Sequence, residues 1–108
     1  MKIQILSLHS YTIPLSTGQT RSGVFIQVTD EKGASGWGEI APLPKWSEET
    51  LEEALSSLDK KQDAIMKVDW TCRSYLSELR KLNLSPATTF GLETALLAVL
   101  SPMPKCEV

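Results

Sequence analysis

The sequence predicts an α+β domain: a three-stranded antiparallel meander followed by three helices. Three observations predict it. Residues 2–13, 24–29 and 35–40 are extended in character, rich in β-branched and alternating apolar side chains, and joined by short Gly- and Pro-containing links. From Leu51 onward the apolar residues fall instead at helical spacing. The whole runs to 108 residues, which suits one domain with one core of moderate size.

The first strand spans residues 2–13. Ile3, Ile5, Ser7, His9, Tyr11 and Ile13 read as one face, and Gln4, Leu6, Leu8, Ser10 and Thr12 as the other. Pro14 ends it, and residues 15–20 have loop composition. Arg21-Ser22-Gly23 leads into the second strand, Val24 to Thr29. The polar run Asp30-Glu31-Lys32-Gly33 has the form of a hairpin turn. The third strand covers residues 35–40. A three-stranded meander is not stable alone, so helices must cover one of its faces.

The first helix is expected from Ser47 to about Met66, with Leu51, Ala54, Leu55 and Leu58 as its apolar stripe. Val68-Asp69-Trp70 interrupts the pattern. A second helix begins near Thr71, with Cys72, Tyr75, Leu76, Leu79 and Leu82 along one face. Ser85 and Pro86 suit the cap and first position of a third helix, which runs to Leu100. That helix is apolar almost all round, so it needs neighbours on most sides. The domain is therefore assigned to residues 1–100, and 101–108, with Pro102 and Pro104, to a linker.

Composition narrows the function classes. A formal net charge of −2 offers no basic surface in bulk and argues against nucleic-acid binding. No apolar run approaches the length of a membrane span, and the first residues lack the pattern of a secretory signal. Cys72 and Cys106, far apart in the chain, read as thiols of a cytoplasmic protein rather than as a disulfide. His9 is the one histidine, and no metal-ligand spacing is present.

The informative stretch is Gly36-Trp37-Gly38-Glu39-Ile40-Ala41-Pro42-Leu43-Pro44-Lys45-Trp46-Ser47-Glu48-Glu49-Thr50. Glycines on both sides of Trp37 in an extended run mark a bulge or the close approach of another backbone. Pro42 and Pro44 stiffen the following loop. Ser47 offers an N-cap oxygen, Glu48 and Glu49 place negative charge at the helix start, and Trp46 with Leu51 has the spacing of a hydrophobic staple. Glu39 has no second acid beside it in sequence and reads as a structural carboxylate bonding backbone groups of the loop.

This stretch resembles the amino-terminal capping domain of the enolase superfamily, most closely its o-succinylbenzoate synthase branch. Gly36-Trp37-Gly38-Glu39 is common to several branches; the run through Pro42-Leu43-Pro44 and Ser47-Glu48-Glu49-Thr50 is similar to the synthase branch. Ser85-Pro86-Ala87-Thr88-Thr89-Phe90-Gly91-Leu92-Glu93 with Ala95-Leu96 is a second match, and Thr20-Arg21-Ser22-Gly23 a weaker third. Lys45-Trp46 departs from the Gly-Phe common in the branch: the aromatic is kept and a charge is added.

The resemblance implies the lid of a two-domain enzyme whose (β/α)-barrel is absent from this chain. Two loops, residues 15–22 and 41–46, would close over a small anionic substrate. Arg21, Leu43, Lys45 and Trp46 are the lid candidates; no catalytic residue and no metal ligand is assigned to this chain. Mg²⁺ would be held by the missing barrel. The implied reaction is the syn dehydration that leads toward menaquinone, with this fragment inactive alone. Two other readings fit the same residues: the lid of a dipeptide epimerase or cycloisomerase, and a free-standing interaction module. The expected partner is a barrel domain or a second copy of the chain.

Overall fold

The computed structural model describes residues 1–42 and 50–100. Strands β1 (Ile3–Pro14), β2 (Thr20–Asp30) and β3 (Ser35–Ile40) precede helices α1 (Leu51–Lys67), α2 (Tyr75–Leu82) and α3 (Pro86–Leu100). The sheet is an antiparallel meander in the order β1-β2-β3. The β2–β3 turn closes as its composition requires. Asp30 accepts the Lys32 and Ala34 amides on Oδ1, each at 2.9 Å, and Gly33 takes φ 90°.

Helices cover one face of the sheet, where Val24, Ile26, Val28 and Ile40 are buried. Leu58 and Ile65 of α1, Leu79 and Leu82 of α2, and Leu92, Leu96 and Val99 of α3 complete the core. The glycines around Trp37 mark a close approach. A Cβ at Gly38 would stand 1.9 Å from the Gly91 carbonyl oxygen, and one at Gly36 2.1 Å from that of Ala95. Helix α3 thus lies directly on β3, backbone against backbone. Buried Thr88 ties α3 to α1 by donating to the Ala54 carbonyl at 2.6 Å.

Several expectations need correction. A register shift between Ile3 and Ile5 turns Ile3 into the core, away from the face that carries Ile5 and His9. Thr20, Arg21 and Ser22 belong to β2 rather than to a loop, because β1 pairs them as far as Pro14↔Thr20. Helix α1 does not start at Ser47. Thr50 is extended and caps it through a complete capping box with Glu53. Ser47, Glu48, Glu49 and the Trp46 half of the staple lie outside the described residues.

Helix α2 starts at Tyr75, after a turn in which the Thr71 hydroxyl accepts the Ser74 amide at 3.1 Å. Trp70, in the segment that interrupts the helical pattern, is fully buried and donates its indole N–H to the Ile65 carbonyl. Cys72 is disulfide-bonded, not a free thiol. Helix α3 ends with the Leu100 carbonyl oxygen 3.2 Å from its Sγ, so the fold returns the chain to a residue that is remote in sequence. Cys106 and the rest of residues 101–108 lie outside the described part.

Candidate functional site

The meander topology decides where the loops go. β3 pairs with β2 only from Val24↔Ile40 to Thr29↔Ser35, whereas β1 and β2 pair on to Pro14↔Thr20. The β1–β2 hairpin therefore projects past β3 as a two-stranded arm. Its tip, residues 15–19, is closed by the Leu15 amide on the Gln19 carbonyl at 2.7 Å and the Gly18 amide on the Leu15 carbonyl at 3.0 Å. Gly18 takes φ 84°, a conformation glycine adopts without strain. β3 leaves the sheet through Ala41 and Pro42 at this same end. Both loops expected to form a lid thus depart from one end of the sheet.

At the root of the arm, on the face away from the helices, lie Tyr11, Arg21 and Glu39. Tyr11 pairs with Gly23, and a Cβ on Gly23 would be 2.4 Å from the Tyr11 hydroxyl. The missing side chain leaves room for the phenol to lie across β2. It donates its hydroxyl hydrogen to Oε2 of Glu39 on β3, and its ring packs on Phe25 at a centroid distance of 4.9 Å. Burial raises the Tyr11 pKa, the hydrogen bond to Glu39 and the charge of Glu39 add to this, and the Arg21 guanidinium opposes it. The partner of Glu39 is a side chain on another strand rather than the backbone of the loop.

Arg21 pairs with Ile13 and is half-buried. Its Nε is enclosed with no hydrogen-bond partner among the described residues. Farther along this face His9 lies against Trp37 at 5.2 Å, and Ile5, Ile13, Phe25 and Trp37 are exposed. Of the predicted lid residues, the structure places Arg21 beside the loop exits; Leu43, Lys45 and Trp46 lie outside the described residues. Tyr11 and Gly23 were missed. The hairpin register could have found them, since a turn closing at Pro14↔Thr20 sets Tyr11 opposite Gly23.

Among the described residues no group of three or more His, Cys, Asp or Glu is placed to hold a metal ion. No described helix is long and apolar enough to cross a membrane. The half-buried Arg21 guanidinium, near enough to Tyr11 to act on its charge, is a group that can hold and orient an anion.

Residues 3–99 match the family described as MenC, N-terminal domain. The chain belongs to this family. An o-succinylbenzoate synthase of Proteus mirabilis is 33% identical over 106 residues, which take in 91% of this chain and 30% of the synthase. The chain thus spans about 30% of the length of the curated relatives it matches. A mandelate racemase/muconate lactonizing protein of Herpetosiphon aurantiacus shares the fold with a TM-score of 0.79 at 27% identity, over 94% of this chain and 29% of that one. A dipeptide epimerase of Enterococcus faecalis has a TM-score of 0.80 at 19% identity, over 94% of this chain and 30% of that one; at that identity the likeness shows the fold alone. In these two-domain enzymes the amino-terminal domain is the cap.

Proposed function

We propose that this chain is the substrate-capping domain of an o-succinylbenzoate synthase, closing over the mouth of a (β/α)-barrel during a syn dehydration on the route to menaquinone. The observation that carries the reading is the departure of both loops from one end of the sheet, in a chain whose family match runs from residue 3 to residue 99. Loops gathered at one end can exclude water from a barrel mouth and fix which substrate fits. Arg21 attracts the substrate's carboxylates at the edge of the site, Leu43 and Trp46 cover its apolar ring, and Lys45 adds a second positive charge. Residues 101–108 form the linker toward the barrel.

The described residues do not fit a magnesium site, so in this reading Mg²⁺ and the groups that move the proton belong to the barrel, and the fragment is inactive alone. The test is Mg²⁺-dependent dehydration of the synthase substrate by the 108-residue chain, with and without a separately prepared barrel domain of a related synthase. Activity is expected only when both are present, and Arg21→Ala in the pair should raise KM by about tenfold, the effect of losing one charged contact. Activity from this chain alone would overturn the reading, as would no activity from a pair shown to associate by light scattering.

The exposed aromatic outer face supports a second reading, an interaction module that binds another copy of itself. It requires a dimer at micromolar concentration. A monodisperse monomer would exclude it.

A further inference from the structure

We propose that Tyr11 and Glu39 are positioning residues that latch β1 to β3 across β2, and so hold the β1–β2 arm and the exit of β3 in one fixed relation. Its consequence for substrate rests on the capping-domain reading; the latch itself does not. β1 and β3 share no backbone hydrogen bonds, since β2 lies between them. The ladder to β3 ends at Val24↔Ile40, and the arm beyond that pair is a bare two-stranded ribbon. Such ribbons twist and bend more readily than wider sheets. The Tyr11 hydroxyl on Glu39 spans the place where the third strand stops.

Three features make this more than a chance contact. Gly23 leaves the space the phenol occupies, and a methyl group there would meet the hydroxyl. Phe25 supports the ring. The acceptor is a carboxylate oxygen, a stronger acceptor than a hydroxyl or an amide carbonyl. Arg21 stands close enough to Tyr11 to act on its charge. Fixing the arm therefore also fixes the guanidinium that faces the substrate in the capping reading.

The test uses amide hydrogen exchange at Leu15 and Gly18, whose N–H groups close the arm's tip. Tyr11→Phe keeps the ring on Phe25 and removes only the hydroxyl; exchange at both amides should rise about fivefold, as expected for one lost hydrogen bond, with Ile26 in the core unchanged. Glu39→Ala should do the same, and the double variant should do no more than either single one. Glu39→Gln keeps an acceptor and should restore most of the protection. Gly23→Ala should mimic Tyr11→Phe, though it alters neither partner. A phenol absorbance titration should show the raised Tyr11 transition, and Glu39→Gln should lower it.

Joined with a barrel, Tyr11→Phe should raise KM about fivefold and leave kcat within twofold. Unchanged loop exchange in Tyr11→Phe, or additive effects in the double variant, would overturn the latch. A fall in kcat with KM unmoved would overturn its consequence for substrate. If the unaltered pair is inactive, the capping reading has failed, and the exchange and titration results still decide the latch.

Discussion

Three glycines set the geometry of this domain, each by what it lets come close. Gly38 and Gly91 face one another where α3 lies on β3, and Gly23 lies under the Tyr11 phenol. The obstacle at Gly38 is backbone, which cannot swing aside. Gly38→Ala should therefore lower stability by at least about 2 kcal/mol in a urea titration, the size expected of overpacking a filled interface. Gly33, with open space around it, is held by its positive φ alone, and Gly33→Ala should cost only about 1 kcal/mol. Equal costs at the two sites would show that α3 can move off the sheet.

Two titrating residues give the molecule a pH signature of known sign. Asp69 is held below its ordinary value by the hydrogen bond and charge of the Met1 amine, 2.8 Å away. Its contribution is present above the usual aspartate range and is lost as pH falls through the lowered value. Asp69→Asn should flatten the fall in urea midpoint between about pH 5 and pH 2. Tyr11 acts in the opposite sense. Its raised pKa makes its contribution full below about 10 and lost as pH rises through the folded value.

At the scale of elements, each helix is held by a device written in a few residues. Thr50 and Glu53 close a capping box on α1: the Glu53 amide donates to Thr50 Oγ1 at 3.1 Å, and the Thr50 amide donates to Glu53 Oε1 at 2.9 Å. Thr50→Ala should cost about 1 kcal/mol by thermal melting, without changing the helical signal once folded. Helix α2 ends at Asn83 in the left-handed region, a conformation asparagine tolerates better than most residues. Helix α3 reads as apolar all round, and the structure explains why only in part. Sheet and helices bury Leu92, Ala95, Leu96 and Val99, while Phe90 on its outer side is 65% exposed.

At the scale of the whole molecule, one sheet face is packed and the other is open. Ile5, Phe25 and Trp37 are exposed on the open face. The chain's relatives are about three times its length, and in them a barrel accompanies this domain. The arm, the β3 exit and Arg21 all belong to the end of the sheet where the loops gather. The capping proposal and the latch proposal therefore meet in one place, and the dehydration assay and the exchange measurement test them separately.

The sequence by itself determined the order of three strands and three helices, the third strand's bounds, the turn at Gly33 and the family. These follow from local periodicity, turn chemistry and a motif read residue by residue, and local physics needs only neighbours in the chain. Only the tertiary structure decided the rest. Whether Gly36 and Gly38 meant a bulge or a close approach depended on the backbone of α3, which arrives from more than fifty residues away. The burial of Trp70, the turn of Ile3 into the core and the disulfide at Cys72 depended on which surfaces the helices reach. The partnership of Tyr11 with Glu39 spans two strand registers, and no single stretch of sequence holds both.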